Sequence, residues 1–273
     1  MSCCPPEMEP PLATQGGEEG RVITFGQTEL FVAGPPKAKA GIIALPDVFG
    51  VDSGRTKQDA EALGKLGYAV VVVDLTHGDN MNAGSIPEWL VRFLSWVGIA
   101  GLIVGRWLKK YSYENFTGAG MRDALAYLQS EAGAEAVSSY GYCWGAWIGA
   151  VQCAQDTPVL KGHVSFHPSW KAENTVHGEG AVEKLAERIT VPQLLLAAGN
   201  DDEFVREGGS VEKILKAKSE IGELCRVVDF PDMIHGWVNR GDLNDPTTKA
   251  GVDKAWKEAI AFMQAVNPTQ AVN

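Results

Sequence analysis

Residues 68–75, which read YAVVVVDL, constrain the fold of this chain more than any other segment. Their apolar side chains follow one another without the alternation that a half-buried strand would show. A strand of this kind is covered on both faces, as in a parallel sheet that lies between two layers of helices. The segment therefore predicts an α/β protein.

The rest of the chain alternates between apolar runs and segments with helical spacing. Period-two stretches around a turn predict an edge strand pair over residues 22–34. Further strands are predicted over residues 41–47, 136–143, 160–168, 192–201 and 224–230, and helices over residues 54–68, 116–133, 144–155, about 181–189, 210–222 and 247–266. This order predicts a mostly parallel central sheet with helices on both faces.

Length and composition indicate one globular domain. Of 273 residues, 45% are hydrophobic and 21% are charged, which excludes disorder, collagen and coiled coil as the main class. We expect an irregular lead-in over residues 1–20, a single domain over residues 21–266 and a tail over residues 267–273.

Charge and cysteine content limit the partners and the compartment. The net charge of −10 gives no basic surface for phosphates, so nucleic acid is not an expected partner. The five cysteines are scattered and contain no CxxC pair, which predicts a reducing compartment and no cysteine metal site. The first residues show no basic region followed by an apolar run, so we expect a cytoplasmic protein.

An apolar segment over residues 89–108 reads WLVRFLSWVGIAGLIVGRWL. Its uncharged part, residues 93–105, is shorter than the roughly 20 residues that a membrane span needs. We predict a buried or lid-like helix within an insertion around residues 79–115 and no stable membrane span. A helix at a membrane interface is the alternative.

Residues 141–145, GYCWG, lie between a predicted strand and a predicted helix. This is the G-x-nucleophile-x-G pattern of a strand-to-helix elbow, with Cys143 in the nucleophile's position. The flanking glycines let the chain fold back tightly, and the following helix N-terminus favours a thiolate. The pattern predicts that Cys143 is a nucleophile.

A nucleophilic cysteine needs a base, and His235 lies in the loop between the last strand and the final helix. That is where a protein with the chain order nucleophile, acid, histidine carries its base. The acid is expected after the strand over residues 192–201, where Asp201 is the first choice and Asp202 the alternative. His77 and His167 also follow strands and are expected to line the pocket.

Three segments together resemble the dienelactone hydrolase family, an α/β-hydrolase branch with a Cys-Asp-His triad. They are GYCWG at 141–145, LPDVFG at 45–50 and HGWVNRG at 235–241, and the resemblance covers about residues 20–266. It implies an α/β-hydrolase fold and a carboxylic ester or lactone hydrolase similar to carboxymethylenebutenolidase. The expected partner is a small ester or lactone; no metal or organic cofactor is expected.

The resemblance also implies roles for single residues. Cys143 would attack the carbonyl and form a thioester, which water resolves with His235 as general base. The backbone N–H groups of Trp144 and Val48 would form the oxyanion hole. In the bacterial enzymes a glutamate partners the resting thiol, and this chain has Asp47, one methylene shorter, in that position.

Other functions remain open from the sequence. The main alternative is a receptor or carrier that binds a small ligand in an α/β-hydrolase pocket without turnover. A glycosidase would use paired carboxylates such as Asp47 and Asp201, which leaves the cysteine elbow without a purpose. A redox sensor would need a resolving cysteine near Cys143, and Cys153 is expected to point away.

Overall fold

The computed structural model describes residues 19–81, 99–157 and 159–269. Within these ranges one sheet has the strand order β1-β2-β4-β3-β5-β6-β7-β8. The strands are β1 (Arg21–Phe25), β2 (Thr28–Ala33), β3 (Ala40–Leu45), β4 (Ala69–Val73), β5 (Ala136–Tyr142), β6 (Leu160–Phe166), β7 (Gln193–Ala198) and β8 (Arg226–Phe230). Strand β2 is antiparallel to both neighbours, and the strands from β4 to β8 are parallel. The predicted mostly parallel sheet is confirmed.

Helices cover both faces of this sheet. In the described ranges they are α1 (Thr56–Lys65), α2 (Ile99–Lys110), α3 (Gly118–Ser130), α4 (Trp144–Cys153), α5 (Lys171–His177), α6 (Ala181–Arg188), α7 (Ser210–Lys216), α8 (Trp237–Arg240) and α9 (Pro246–Val266). A π-helical turn over Tyr113–Thr117 and two 3-10 turns, Glu203–Val205 and Gly222–Leu224, complete the set. None of the described helices is long and apolar enough to cross a membrane.

Strand β4 shows why its sequence is apolar throughout. Val71 and Val73 belong to the core on one face of the sheet, whereas Val70 and Val72 belong to the core on the other face. All four side chains are completely buried. The continuous apolar run is therefore needed because neither face of this strand meets water.

The apolar insertion differs from the expected buried helix where the structure describes it. Leu102 and Ile103 of α2 are 67% and 51% exposed, and in that part of the helix Leu108 is the buried apolar residue. At these two positions α2 is exposed, so of the two expected forms, buried or lid-like, the buried one does not hold here. Trp89 and Trp96 lie outside the described residues, and a lid there stays a prediction.

Candidate active site

Cys143 lies in a strained turn between β5 and α4. Its φ and ψ are 54° and −113°, in a region that side-chain-bearing residues rarely adopt. Gly141 and Gly145 permit this turn: a Cβ on either would lie 2.4 Å from backbone atoms, of Gly145 in one case and of Leu45 in the other. The GYCWG pattern thus has a steric cause, and the turn places Cys143 at the carboxyl edge of the sheet.

Ser169 contacts Cys143 twice, and no sequence motif points to this residue. Its backbone N–H donates to the Cys143 carbonyl oxygen at 3.1 Å, and its Oγ lies 3.2 Å from the Cys143 Sγ. The same Oγ lies 3.5 Å from Nε2 of His235. The Ser169 hydroxyl is therefore between the thiol and the imidazole.

His235 is held from two sides. Its Nδ1 lies 2.6 Å from Oδ1 of Asp201, and its backbone N–H donates to Oδ1 of Asn200 at 2.7 Å. The other oxygen of Asp201 accepts a hydrogen bond of 2.7 Å from the Ala198 backbone N–H. Asp202 instead pairs with Lys171 at 2.9 Å on the surface. Of the two acids left open by the sequence, Asp201 is the one beside His235.

The electrostatics of this group favour a charged imidazole. Burial lowers the pKa of His235, but the charge of a Cys143 thiolate and hydrogen bonds with Asp201 and Cys143 outweigh it and raise the pKa to about 10. Burial also raises the pKa of the Asp201 carboxyl, although its bond to His235 opposes this change. The neighbouring Cys143 and Asp201 side chains therefore favour the protonated form of His235.

Asp47 lies in a buried polar network in the loop after β3. Its Oδ1 accepts from the Phe49 backbone N–H at 3.0 Å, and its Oδ2 accepts from Ser53 Oγ and Asn239 Nδ2, both at 2.9 Å. Oδ2 is also 3.0 Å from Nε of Arg240. Burial raises the pKa of Asp47, Arg240 lowers it, and a charge on Cys143 raises it further. The expected contact of Asp47 with the resting thiol stays a prediction.

The two histidines expected in the pocket occupy different environments. His167 is completely buried, has a φ of 38°, stacks on Tyr142 and meets the His235 ring edge-on. Burial, followed by the charge of His235, lowers the pKa of His167 well below its usual range. His77 is exposed, and its ring packs against Phe116. The structure therefore brings His167 to the site and places His77 among the aromatic residues of the insertion.

The oxyanion-hole candidates lie on the two chain segments that meet at the elbow. Trp144 is the first residue of α4, so its N–H has no partner within the helix. Val48 follows β3 in the loop whose carbonyls contact Gly145. The Trp144 ring packs edge-on against Trp107 of α2 at 4.9 Å, so the insertion contacts the residue after Cys143. In the described ranges, no group of three His, Cys, Asp or Glu residues could hold a metal ion.

Comparison with known proteins decides the family. Residues 28–267 match the model of the dienelactone hydrolase family. The chain belongs to the dienelactone hydrolase family. A carboxymethylenebutenolidase homologue of Rattus norvegicus is 23% identical over 255 residues, 90% of this chain and 91% of that protein. A hydrolase of Aspergillus violaceofuscus is 21% identical over 250 residues, 91% of each chain.

A solved dienelactone hydrolase from Anabaena variabilis is similar in fold. It shares 15% sequence identity and a TM-score of 0.53, over 92% of this chain and 98% of that one. Membership of the dienelactone hydrolase family makes this protein a hydrolase of the α/β-hydrolase class. The resemblance seen in the sequence is thereby confirmed for family and fold.

Proposed function

We propose that this dienelactone hydrolase family member cleaves a small carboxylic ester or lactone through a thioester on Cys143. The observation that carries the proposal is one continuous series of polar contacts. Cys143 Sγ is 3.2 Å from Ser169 Oγ, which is 3.5 Å from His235 Nε2. His235 Nδ1 is in turn 2.6 Å from Asp201.

The reaction has two halves. The Cys143 thiolate attacks the carbonyl carbon, and the C–O bond to the leaving alcohol breaks while His235 Nε2 gives that oxygen a proton. A water molecule then attacks the thioester and gives its proton to Nε2, and the acid leaves as the thiolate is restored. In a lactone, the leaving alcohol and the acid belong to one molecule.

Asp201 supports both halves by holding His235 in one orientation. Its carboxylate accepts the Nδ1–H, so that Nε2 faces the thiol, and it stabilises the imidazolium. The N–H groups of Trp144 and Val48 would bind the carbonyl oxygen as it becomes negative. Donors of this type are typically worth about 2.7–4 kcal/mol each.

Hydrolysis by two cysteine variants tests this proposal. We expect Cys143→Ala to abolish the hydrolysis of p-nitrophenyl acetate and of a small lactone panel, because the thiol that carries the acyl group in this route is removed. Cys153→Ala is the matched control, since Cys153 is buried at the end of the same helix and burial raises the pKa of its thiol to about 12. Full activity of Cys143→Ala, or ligand binding without turnover by the wild type, would overturn the proposal.

A further inference from the structure

We infer that Ser169 is a catalytic residue that donates a hydrogen bond to the Cys143 thiolate and links it to His235. The inference deepens the proposed function and rests on it for the step in which the thiolate attacks. The resemblance places Asp47 where the bacterial enzymes carry the partner of the resting thiol, and the geometry points to Ser169 as a partner of the thiolate.

The position of Ser169 is fixed by the backbone of the elbow itself. Its N–H donates to the carbonyl of Cys143 at 3.1 Å, while the Cys143 N–H donates to the Phe166 carbonyl at 3.1 Å. These two bonds tie the turn after β6 to the elbow after β5. The Ser169 side chain is 7% exposed, so its hydroxyl lies at the thiol in a site with little water.

The donors and acceptors of the three groups let the Ser169 hydroxyl bond to both of the others, in addition to the direct contact of His235 with Cys143. A thiolate only accepts hydrogen bonds, and an imidazolium Nε2 only donates. A hydroxyl can accept a hydrogen bond from the imidazolium and donate its own proton to the thiolate. The order is therefore Nε2–H to Oγ at 3.5 Å and Oγ–H to Sγ at 3.2 Å.

Asp47 differs from Ser169 in what it can offer the thiolate form of Cys143. Its oxygens accept from Phe49, Ser53 and Asn239 and pair with Arg240. An ionised carboxylate has no proton to donate, so it cannot stabilise a thiolate. A charge on Cys143 raises the pKa of Asp47, so the two negative charges oppose each other, whereas a hydrogen bond from the Ser169 hydroxyl supports the charge on Cys143.

The hydrogen bond from Ser169 Oγ to Cys143 Sγ changes in strength during the reaction. When Sγ attacks the carbonyl it loses its negative charge, and the hydrogen bond from Ser169 weakens. When the thioester breaks, the charge returns to Sγ and the hydroxyl stabilises it again. Ser169 therefore acts on the thiolate as the attacking group and as the leaving group.

The pH dependence of Cys143 alkylation tests this inference without any substrate. Iodoacetamide reacts with the thiolate, and peptide mass mapping reports the rate at Cys143 alone, from pH 5 to pH 11. We expect Ser169→Ala to raise the midpoint of this pH dependence by about one pH unit. A hydrogen bond to a charged group is worth about 1.5 kcal/mol, which corresponds to a shift of that size. Ser169→Thr keeps the hydroxyl and should keep the wild-type midpoint.

Two controls separate this effect from a change of packing. Ser165, on the strand that precedes the Ser169 turn, is completely buried, and no hydrogen-bond partner of its hydroxyl is found among the described residues; Ser165→Ala should leave the midpoint unchanged. If Ser169→Ala impairs folding, Ser169→Thr and Ser169→Val give the same comparison, because their side chains have the same shape and only threonine carries the hydroxyl. An unchanged midpoint in both Ser169→Ala and Ser169→Val, or an equal shift in Ser165→Ala, overturns the inference.

The same experiment distinguishes this inference from the proposed function. Alkylation needs no ester and no turnover, so a shifted midpoint supports the role of Ser169 at the thiolate even if Cys143→Ala still hydrolyses esters. An unchanged midpoint together with an inactive Cys143→Ala would contradict the role of Ser169 and would still support the thioester route. For turnover, Ser169→Ala should lower kcat more at pH 6 than at pH 9, because the thiolate fraction falls most at low pH.

Discussion

Asp47 and Arg240 form an ion pair whose two side chains are completely buried, with 3.0 Å between Oδ2 and Nε. The pair joins the loop after β3 to helix α8, which directly follows the loop of His235. Asn239, the neighbour of Arg240, donates to the same carboxylate oxygen at 2.9 Å. Asp47 therefore fixes the segment that carries His235 against the loop that carries Val48.

Replacing Asp47 with asparagine should destabilise the protein by about 3–5 kcal/mol, because the variant leaves a buried guanidinium without its counter-charge. Urea unfolding measures this change. Asp52→Asn removes a pair with Lys57 in which the Asp52 side chain is 78% exposed, and should cost less than about 1 kcal/mol. The double variant Asp47→Asn with Arg240→Met should recover much of the loss. A loss below 1 kcal/mol in Asp47→Asn would show that the pair is not structural.

Asp201→Asn should lower kcat by about 100- to 10,000-fold while the protein stays folded, since an amide no longer holds His235 in the correct tautomer or stabilises the imidazolium. Steady-state hydrolysis of p-nitrophenyl acetate measures the effect. Asp202→Asn removes only the surface pair with Lys171 and should keep kcat within about twofold. The reverse pattern, with Asp202→Asn inactive, would contradict the assignment of Asp201.

Gly145→Ala should both destabilise the protein and lower its activity. The new Cβ would lie 2.4 Å from the carbonyl oxygens of Leu45 and Pro46, so the loop that leads to Val48 must move. Overpacking of this kind costs about 1–3 kcal/mol, and thermal unfolding together with kcat measures the two effects. Gly101→Ala, in a helix with open space at that position, should be neutral or stabilising. If Gly145→Ala and Gly101→Ala changed the thermal stability and kcat equally, the steric account of the elbow would be contradicted.

The difference in unfolding free energy between Asp59→Asn and the wild type should depend on pH. Asp59 accepts a 2.6 Å hydrogen bond from the hydroxyl of Tyr142, the residue before Cys143, and burial raises its pKa to about 7. Between about pH 4 and pH 7 the folded wild type holds a proton that the unfolded chain has lost, so its unfolding free energy falls as the pH rises. The asparagine variant has no such proton.

The advantage of Asp59→Asn over wild type should therefore grow from pH 4 to pH 7 and then stay constant, by about 4 kcal/mol in total. Urea unfolding of both proteins at pH 4, 5.5, 7 and 8.5 measures it. Parallel pH curves for the two proteins would show that Asp59 does not titrate in this window.

The parts of the site that sequence could predict are those set by local rules. Cys143 follows from a steric pattern of five residues, and the placement of Asp201 and His235 follows from the strands that precede them. The sequence favours Asp201 but leaves Asp202 open, because the choice depends on the direction in which each side chain leaves the turn after β7. Only the structure gives that direction.

Ser169 could not be predicted because its partners come from other segments. It lies on the turn after β6, and its contacts with Cys143 and His235 depend on the relative positions of three strand ends. Helices α5 and α8, of seven and four residues, were not predicted because each is too short to show a helical period by itself. Helix α7 is as short as α5, but the helical spacing of its sequence continues to residue 222. The exposure of Leu102 and Ile103 likewise depends on which side of α2 meets the protein.

The most direct test of the thioester route is the mass of the intact protein after brief incubation with p-nitrophenyl acetate. Wild type, Cys143→Ala and His235→Ala are compared, and peptide mapping locates any acetyl group. We predict an acetyl group on Cys143 in the wild type, none at that position in Cys143→Ala, and a persistent one in His235→Ala, which lacks the base for water. Turnover by the wild type with no acetyl group on Cys143, combined with undiminished release of nitrophenol by Cys143→Ala, would contradict the account.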